Sequence, residues 1–484
     1  MQTNYVSVSR SIPRSYAQSW RSCRFSLLIA VLTLAIIGPQ FAPAATDWPT
    51  FGFDVQRTGE NPFESTITPS TVGGLHQLWN FDLGAVTIMQ PVLATGVVVN
   101  GAKFDLVYMG AEHGDLYAID AVSGAQVWHR NLGSQKTECA DIPDEIFGVT
   151  GSPALDTANN RMFVAGGDGK LYALDLSTGA TLPGWPVVIT AHPDLEHVWS
   201  AITINNGIAY AATASYCDIR PYHGKVVAID IATHQQVGSF FPAGKQIDGG
   251  GIWSSGGVSV DPATGNVFTA TGNAFTDPES YRYSENVVEL SSNLKVLGFN
   301  YPGLTGLDVD FGSTPVLYQP PGCPPMLAAK NKSGVLVTYE RGQVSDGPAQ
   351  RLQIADINDW EFNGDVAWSE KTHLLYISNS SDSSSSKTKH GLVALSVDAN
   401  CRLGLAWQTP VGPNPGLVSS PTVAGGIVYY ADGQGGQILA FDAADGTPLW
   451  SSGTIEGGLF ATPIVVNGRL YVGAWNGNLY AFGL

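Results

Sequence analysis

One sequence unit recurs along this chain and limits its fold more than any other feature. The unit reads Gly-x-hydrophobic-Tyr/Val-Ala-hydrophobic-Asp, and its clearer copies continue with a Thr-Gly or Ser-Gly turn and a tryptophan. The eight copies, two of them weaker, lie at residues 114–120, 169–175, 224–230, 286–290, 334–339, 391–395, 437–442 and 478–482. Each unit is typical of four short strands, and a single four-stranded sheet cannot bury both of its faces, so the units must stack around an axis. We therefore predict an all-β, eight-bladed β-propeller.

The two ends of the repeat indicate how the ring closes. Trp128 and Trp450 each lie eight residues after the aspartate of their unit, whereas the last unit stops before such a tryptophan. Ahead of the first unit, residues 75–81 read Leu-His-Gln-Leu-Trp-Asn-Phe, which is a spare strand with a tryptophan. We expect this N-terminal strand to complete the last blade, because a closed ring leaves no exposed sheet edge.

The composition excludes several classes of protein. The 484 residues include 56 glycines but only 13% charged residues, which indicates many tight turns and few exposed helices. An aromatic content of 10% gives enough apolar surface for a core, so the chain is not disordered. The net charge of −17, with no basic stripe, makes nucleic acids and anionic membranes poor partners.

The first 44 residues are typical of a secretory signal peptide. The segment carries four arginines and no acid, an apolar run at residues 27–37, and Ala-Pro-Ala at residues 42–44. The run is too short for a membrane anchor, which needs about 20 apolar residues. Cys23 precedes the run, whereas a lipoprotein cysteine would follow it. We expect a signal peptide at residues 1–44, a single propeller at residues 45–484, and an exported protein, periplasmic or extracellular, without membrane insertion.

Residues near the N-terminus of the propeller carry a family resemblance. Asp-Trp-Pro-Thr-Phe-Gly at residues 47–52, with Arg-Thr-Gly at residues 57–59 and Asn61, resembles the opening of pyrroloquinoline quinone (PQQ) dehydrogenases, and the repeat resembles the PQQ-type propeller repeat. This resemblance implies a quinoprotein that binds PQQ with Ca²⁺ or a lanthanide and oxidises a small alcohol or polyol. The same repeat also occurs in the non-catalytic lipoprotein scaffold of outer-membrane β-barrel assembly. A propeller scaffold that binds partners without the cofactor therefore remains the alternative.

Three local motifs resemble the family's active site and occur in the family's order. Gly-Gly-Gly-Ile-Trp ending at Trp253, with Thr-Gly-Asn ending at Asn273, resembles the segment that supplies a tryptophan beneath the quinone and a metal ligand. Asp-Val-Asp resembles the catalytic aspartate segment, which implies Asp308 as base and metal ligand and Asp310 as the additional ligand of lanthanide-type variants. Lys-Asn-Lys-Ser-Gly resembles the Lys-x-Gly motif, which implies that Lys332 contacts the quinone oxygens.

The chemistry of such a site agrees with these residue types. A planar anionic quinone needs an aromatic platform and a cation, and a hard metal ion needs carboxylate and amide oxygens. Each residue also has a simpler interpretation. Trp253 suits packing between blades, Asn273 suits a turn, Asp308 and Asp310 suit a solvated loop, and Lys332 suits the surface.

The sequence also departs from the family pattern. There is no pair of adjacent cysteines to cap the quinone, and the glutamate ligand expected in the third unit has no match, so Asp218 is the nearest carboxylate. In these features the chain resembles polyvinyl-alcohol-dehydrogenase-like proteins, but it has no cytochrome domain. No Cys-x-x-Cys-His occurs, so we expect no covalent haem and a separate electron carrier.

Four cysteines follow the predicted signal peptide, and an exported protein meets oxidising conditions. Cys139 precedes the second blade and Cys217 lies in the middle turn of the third, which puts both on one face of the propeller. Cys323 and Cys401 fall in turns of the fifth and sixth blades that point to the other face. We therefore predict the disulfides Cys139–Cys217 and Cys323–Cys401.

Overall fold

A computed structural model describes residues 45–356, 364–411, 419–433 and 435–484 of the chain. The predicted signal peptide at residues 1–44 lies outside the described residues. Helical structure in the described ranges is limited to the 3₁₀ turns Val72–Gly74, Pro143–Glu145, Thr157–Asn159 and Val344–Asp346. No helix in these ranges is long and apolar enough to cross a membrane.

Eight four-stranded antiparallel sheets form the blades of a propeller, which confirms the predicted fold class. The strands of blades 1 to 4 are Val92–Val99, Ala102–Gly110, Asp115–Asp120 and Gln126–Asn131; Ala154–Asp156, Arg161–Ala165, Lys170–Asp175 and Val187–Val188; Thr203–Asn205, Ile208–Thr213, Lys225–Asp230 and Gln235–Phe240; and Ser259–Val260, Val267–Ala270, Val287–Leu290 and Val296–Asn300. The strands of blades 5 to 8 are Val316–Tyr318, Met326–Lys330, Val335–Glu340 and Gln350–Gln353; Ala367–Ser369, Leu374–Asn379, Gly391–Val397 and Leu403–Pro410; Thr422–Ala424, Ile427–Asp432, Gln437–Asp442 and Pro448–Ser451; and Ile464–Val466, Arg469–Gly473, Asn478–Gly483 and His76–Asp82. Two further short strands, Gln135–Lys136 and Ile146–Phe147, form a hairpin before blade 2. The strand Glu60–Asn61 adds to the inner edge of blade 7.

In blades 1, 2, 3 and 7 the aspartate of the repeat ends the third strand and fixes the turn that follows. The Asp120 carboxylate accepts a hydrogen bond of 2.9 Å from the Val122 N–H, and the Asp175 carboxylate accepts one of 2.9 Å from the Ser177 N–H. The carboxylate accepts hydrogen bonds from N–H groups of the turn that no neighbouring strand accepts, which is why aspartate recurs at this position.

The tryptophan of one blade contacts a glycine of the next blade, and this glycine lies in the turn after the third strand. The Trp128 indole of blade 1 donates a hydrogen bond of 2.8 Å to the Leu176 carbonyl of blade 2, and it lies against Gly179. A Cβ atom on Gly179 would come within 2.8 Å of the indole ring. Trp407 of blade 6 contacts Gly446 of blade 7 in the same way. The repeat therefore encodes blade stacking as well as blade folding.

The N-terminal strand closes the ring as predicted. His76–Asp82 pairs antiparallel with Asn478–Gly483 and forms the outer strand of blade 8, starting one residue later than the sequence suggested. Trp79 of this strand lies against Gly124 of blade 1, so the contact between glycine and tryptophan also spans the joint. Closure thus uses the same interaction as the other blade boundaries.

Residues 48–61, which we call the collar, run around the inside of the ring and contact every blade in chain order. Each hydrogen bond joins the collar to a residue in or beside the innermost strand of one blade. The eight blade residues are Leu93, Leu155, Ile202, Val260, Leu317, Trp368, Val423 and Val465. The collar therefore links all eight blades through a single stretch of chain.

Arg57 holds the collar at the centre of the ring. Its side chain is 1% exposed, and its guanidinium donates to the carbonyls of Phe51, Gly256 and Val258 at 2.7, 3.0 and 3.1 Å. It also donates to the hydroxyls of Thr50 and Thr203. Five acceptors satisfy the donors of one buried cation, so the collar is fixed to blades 3 and 4.

Both predicted disulfides are present. The Cα atoms of Cys139 and Cys217 are 5.5 Å apart, and those of Cys323 and Cys401 are 5.7 Å apart. The first bridge joins the connection between blades 1 and 2 to the middle turn of blade 3, and the second joins turns of blades 5 and 6. The alternation of strands puts the two bridges on opposite faces of the propeller.

Candidate active site

A cavity of about 700 Å³ opens on the face that carries the Cys139–Cys217 disulfide. Four of the six site residues predicted from the sequence line it: Asp218, Trp253, Asp308 and Lys332. The other two, Asn273 and Asp310, lie directly behind the wall, at 3% and 0% exposure. All of them come from connections between blades or from the turn between the second and third strands of a blade. These connections share one face because strand direction alternates.

Three carboxylates and one ammonium group form the polar wall of the cavity. The Lys332 Nζ atom lies 2.9 Å from Asp308 Oδ1 and 2.6 Å from Asp310 Oδ2. Carboxylate oxygens of Asp218, Asp308 and Asp310 lie within 4.8 Å of one another. The Lys332 N–H also donates a hydrogen bond of 2.9 Å to the Asp310 carbonyl, which joins the two motifs through the backbone. Three acids therefore lie together, and two of them pair with one lysine.

Asn273 is the fourth oxygen donor at this wall. Its N–H donates a hydrogen bond of 2.7 Å to Asp310 Oδ1, whereas its own side-chain oxygen is buried with no hydrogen-bond partner in the described part of the chain. Gly272 allows this approach, because a Cβ atom there would lie 2.4 Å from Asp310 Oδ1. A buried oxygen that lacks a donor is costly unless a cation or a ligand completes it.

The crowded charges shift the pKa values of the site. Partial burial and then the charge of Asp310 raise the pKa of Asp308 to about 7. Asp310 is fully buried, yet the Lys332 ammonium and its hydrogen bonds hold its pKa below the usual range. Burial and the charge of Asp310 raise the pKa of Asp218, and the two aspartates raise the pKa of Lys332. Asp308 is thus the acid whose charge changes near neutral pH.

Asp218 reaches the cluster from a strained turn. Cys217 and Asp218 have φ values of 48° and 52°, a left-handed conformation that non-glycine residues rarely adopt. The disulfide holds Cys217, and the Tyr222 hydroxyl donates a hydrogen bond of 2.5 Å to Asp218 Oδ1. Asp308 is also left-handed, with φ of 55°. Two of the three acids therefore occupy backbone conformations that only their surroundings can maintain.

Aromatic residues form the remaining walls. Trp253 is 5% exposed and packs edge-on against Trp199 and Tyr222, with ring centroids 6.2 Å apart in both pairs. Phe460 and Trp475 also line the cavity and stack on each other at 5.6 Å and 13°. The cavity thus combines a polar wall with aromatic surfaces, an arrangement typical of sites for flat or partly apolar ligands.

The sequence motifs found the polar wall but missed Phe460 and Trp475. Trp475 follows the second strand of blade 8, at the position that Lys332 occupies after the second strand of blade 5. Trp475 could therefore have been found from its position in the repeat, because it lies two residues before the glycine of the Gly-x-hydrophobic motif, as Lys332 does. Phe460 precedes blade 8, as Asp308 precedes blade 5.

The residues present fit the groups that the fold implies. Carboxylates of Asp218, Asp308 and Asp310 and the unpartnered oxygen of Asn273 are the hard donors that Ca²⁺ and lanthanides prefer. Trp253 provides an aromatic surface and Lys332 a cation beside it. Because carboxylates outnumber cations at this wall, a metal ion would remove the main electrostatic obstacle to an anionic quinone.

Comparisons with known proteins bear on the family and the fold of the chain. The glucose/ethanol/alcohol dehydrogenase β-propeller domain profile matches residues 48–288, and the profile of outer membrane protein assembly factor BamB matches residues 362–483. The chain is a PQQ-type β-propeller repeat protein. Its dehydrogenase match contains the collar, Asp218, Trp253 and Asn273.

Relatives of this PQQ-type propeller are named dehydrogenases. Polyvinylalcohol dehydrogenase from a Pseudomonas species is 22% identical over 432 residues, which cover 76% of this chain and 65% of that protein. This chain thus spans just under two thirds of that relative. The structure of a quinohemoprotein alcohol dehydrogenase from Pseudomonas putida has a TM-score of 0.69 at 15% identity, covering 90% of this chain and 80% of that one. A europium-containing methanol dehydrogenase has a TM-score of 0.69 at 16% identity, covering 90% and 98%. At these identities, the structural likeness shows the fold alone.

Proposed function

We propose that this protein is an exported quinoprotein that oxidises an alcohol at the cavity described above. The observation that carries the proposal is the convergence of Asp218, Asn273, Asp308, Asp310 and Lys332 beside Trp253 at one end of the ring. The dehydrogenases among its relatives support the same reaction class.

Asp308 is the general base in this proposal. Its carboxylate faces the cavity, with 46% of the side chain exposed, so a substrate hydroxyl can reach it directly. A pKa of about 7 suits a group that must accept a proton near neutral pH and later release it. Lys332 donates to Asp308 Oδ1 and thereby orients the carboxylate.

The remaining residues of the cavity hold ligands. PQQ, when bound, supplies an electrophilic quinone that accepts hydride from the alcohol carbon. Trp253 provides the surface for its ring, and Lys332 provides a positive charge for its oxygens. Asp218, Asn273, Asp308 and Asp310 would hold Ca²⁺ or a lanthanide, with Asp218 in place of the glutamate that the sequence lacks.

The apolar wall suits an alcohol with a hydrocarbon body. Phe460, Trp475 and Ile88 line the cavity, so the carbon chain of a substrate can contact them while its hydroxyl reaches Asp308. Such a wall lowers the free energy of binding in proportion to the apolar surface that leaves water. We propose a small alcohol or polyol as substrate and a separate carrier as electron acceptor.

Reconstitution tests the proposal. The chain from residue 45 onward is incubated with PQQ and either Ca²⁺ or a lanthanide, then followed by visible absorbance and by reduction of a dye with primary alcohols. We expect stoichiometric PQQ binding and alcohol-dependent turnover. Asp308→Asn should retain binding and lose turnover by about 10² to 10⁴-fold, the usual contribution of a general base. Trp253→Ala should weaken PQQ binding.

Asp277→Asn is the matched control, since it removes one exposed carboxylate from the connection that follows Asn273. This variant should behave like the wild type. Turnover that survives in Asp308→Asn would contradict the assigned base. Absence of PQQ binding under every metal condition would contradict the quinoprotein itself.

A binding scaffold is the second candidate function. It is favoured by the match of residues 362–483 to an outer-membrane assembly factor profile and by the absence of an adjacent cysteine pair. A propeller of this kind would present its cavity to a protein partner and would bind neither PQQ nor a metal ion. The same reconstitution therefore separates the two functions.

A further inference from the structure

One connection of blade 4 reaches across to the loop that carries Asp308. It joins the strands Val267–Ala270 and Val287–Leu290, contains Asn273 near its start, and carries two glutamates, Glu279 and Glu285. Neither glutamate belongs to the motifs that the sequence resembles, and neither lines the cavity. Both direct their carboxylates at backbone N–H groups of the Asp308 loop.

Glu279 contacts the first of these N–H groups. Its Oε2 atom accepts a hydrogen bond of 3.0 Å from the Asp308 N–H. The Glu279 backbone is itself fixed, because its carbonyl accepts a hydrogen bond of 2.8 Å from the Ala274 N–H. The side chain is half-buried, so solvent competes only in part for this bond.

Glu285 contacts the next N–H along the loop. It is 3% exposed, and its carboxylate faces the Val309 N–H. Its own N–H donates a hydrogen bond of 3.0 Å to the Gly272 carbonyl, beside Asn273. The other carboxylate oxygen, Oε1, is buried with no hydrogen-bond partner in the residues that the structure describes. A buried carboxylate oxygen without a donor is costly, so Glu285 is an exception that needs an explanation.

The Asp308 loop is held from two sides. Leu307 is 76% exposed, so burial does not hold the residue before Asp308, whereas Lys332 contacts the side chains of Asp308 and Asp310. Asp308 has φ of 55°, a conformation that a non-glycine residue keeps only where its surroundings impose it. The two glutamates lie at the consecutive N–H groups of Asp308 and Val309 and therefore act on the backbone of the loop, while Lys332 acts on its side chains.

We infer that Glu279 and Glu285 are positioning residues that set the orientation of Asp308 and Asp310 through the N–H groups of Asp308 and Val309. Neither glutamate touches a substrate or a ligand in this role. The connection that carries Asn273 thereby also fixes the two aspartates opposite it. The inference rests on the proposed function for its consequence in catalysis, but its structural part stands on the hydrogen bond to Glu279 and on the position of Glu285.

Pairs of variants separate positioning from charge. Glu285→Gln and Glu285→Ala both remove the negative charge, but glutamine keeps an acceptor oxygen for the Val309 N–H and alanine does not. Glu279→Gln and Glu279→Ala form the same pair at the Asp308 N–H. Asp277→Asn removes an exposed acid from the same connection and serves as the control.

Two measurements are made on the chain from residue 45 onward. Terbium(III) alone is titrated, with its luminescence read through nearby tryptophans, and hydrogen exchange is followed in the peptide that covers residues 304–311. We expect each alanine variant to bind terbium about 10 to 100-fold more weakly than its glutamine partner, the usual effect of a residue that orients a metal ligand. The same alanine variants should lose exchange protection in the peptide, while the glutamine variants and the control keep it.

The outcomes are distinct. Equal terbium affinity in the glutamine and alanine variants, with equal exchange protection, would overturn the inference, because charge alone would then explain the glutamates. A loss of protection spread over all blades would also overturn it, since the role would then be general stability. If the wild type binds no terbium but the alanine variants lose protection only in residues 304–311, positioning holds while the proposed metal site fails.

Discussion

The collar and the cavity follow opposite structural rules. At the collar, Arg57 is buried among five acceptors, and every blade donates to or accepts from one stretch of chain. At the cavity, three acids lie together beside one lysine, the Asn273 oxygen has no donor among the described residues, and Asp308 has a left-handed backbone. The collar supports the stability of the ring, whereas the cavity brings together polar groups that stability alone would not favour.

The contrast lies in charge and backbone conformation. The cavity gathers three carboxylates, two of them on left-handed residues, and strained residues of this kind cluster at functional sites. The collar lies close to this site, because Phe51 of the collar and Trp199 of the cavity wall line one small void between them. Substitutions in the collar and in the cavity should therefore have opposite effects on stability and activity.

The largest effect is expected at the collar. Arg57→Ala leaves the carbonyls of Phe51, Gly256 and Val258 buried without their donor, at a cost of about 1 to 3 kcal/mol for each group that stays unsatisfied. We expect the free energy of unfolding to fall by at least about 3 kcal/mol. Equilibrium unfolding in urea, read by tryptophan fluorescence, measures the change.

Arg351→Ala is the control for this substitution, because Arg351 is exposed and donates one hydrogen bond, to the Gly303 carbonyl. Its expected effect is within about 0.5 kcal/mol. If Arg57→Ala unfolded at the same urea concentration as Arg351→Ala, the collar would not stabilise the ring.

The two disulfides allow the comparison to be repeated at equal loop length. Both bridges join cysteines 78 residues apart, so each restricts the unfolded chain to the same extent. Replacing either pair by serines should lower the free energy of unfolding by about 2 to 4 kcal/mol. Only the loss of Cys139–Cys217 should also weaken metal binding, because Cys217 precedes Asp218 in the strained turn.

Thermal unfolding and terbium titration of the two double variants test this pair. Equal affinity for terbium in both variants would show that the disulfide beside the cavity does not support Asp218. Weaker binding in the Cys323/Cys401 variant would instead show that the effect is global.

The sequence predicted the fold almost completely because a repeat states the same structural rule eight times. The features that recur act within one blade or between neighbouring blades. An aspartate fixes a turn in its own blade, and a tryptophan packs against a glycine of the next blade. Ring closure could be predicted because the last unit lacks its tryptophan and the strand at residues 75–81 supplies one. The number of blades, the joint at residues 75–81 and both disulfides were therefore accessible without coordinates.

The site was only partly accessible, for a physical reason. Motifs located Trp253, Asn273, Asp308 and Lys332 because each lies in a short distinctive segment, and the structure brings them together. Glu279 and Glu285 carry no such signal, since a glutamate that accepts a backbone N–H from a distant loop looks like any surface glutamate in sequence. The path of the collar was equally hidden, because its hydrogen bonds join residues up to 404 positions apart.

Two buried acids, Glu112 and Asp365, should respond to pH in the same direction. Glu112 is 1% exposed and has no cation partner among the described residues, so burial raises its pKa to about 7. Burial also raises the pKa of Asp365, to about 6, although the Arg57 charge opposes the rise. The folded state therefore binds the Glu112 proton more tightly than the unfolded chain does. Its contribution to stability is full below pH 4.5 and is lost as pH rises to about 7.

Glu112→Gln measures that contribution, since glutamine keeps an acceptor for the Gly148 N–H. Between pH 4.5 and 7, the free energy of unfolding of the wild type should fall more steeply than that of the variant, by about 2 to 3 kcal/mol over the interval. Parallel curves of urea midpoint against pH for the two proteins would contradict the assignment of Glu112 as an uncompensated buried acid.

The smallest effect on stability is expected at Asp308. Whether the substitution stabilises or destabilises the protein tests the comparison between collar and cavity most directly. Asp308→Asn removes one of three acids that lie together beside Lys332, while the stronger ion pair of 2.6 Å between Lys332 and Asp310 remains. In a metal-free protein, less repulsion should leave the free energy of unfolding unchanged or raise it by up to about 1 kcal/mol. Differential scanning calorimetry at pH 8, where Asp308 is charged, measures the change.

Lys332→Met is the opposing variant, because it leaves Asp308 and Asp310 without their cation, and breaking a buried ion pair costs about 3 to 5 kcal/mol. If Asp308→Asn destabilised the protein as much as Lys332→Met, the acidic cluster would be a structural element, and the cavity would follow the same rule as the collar.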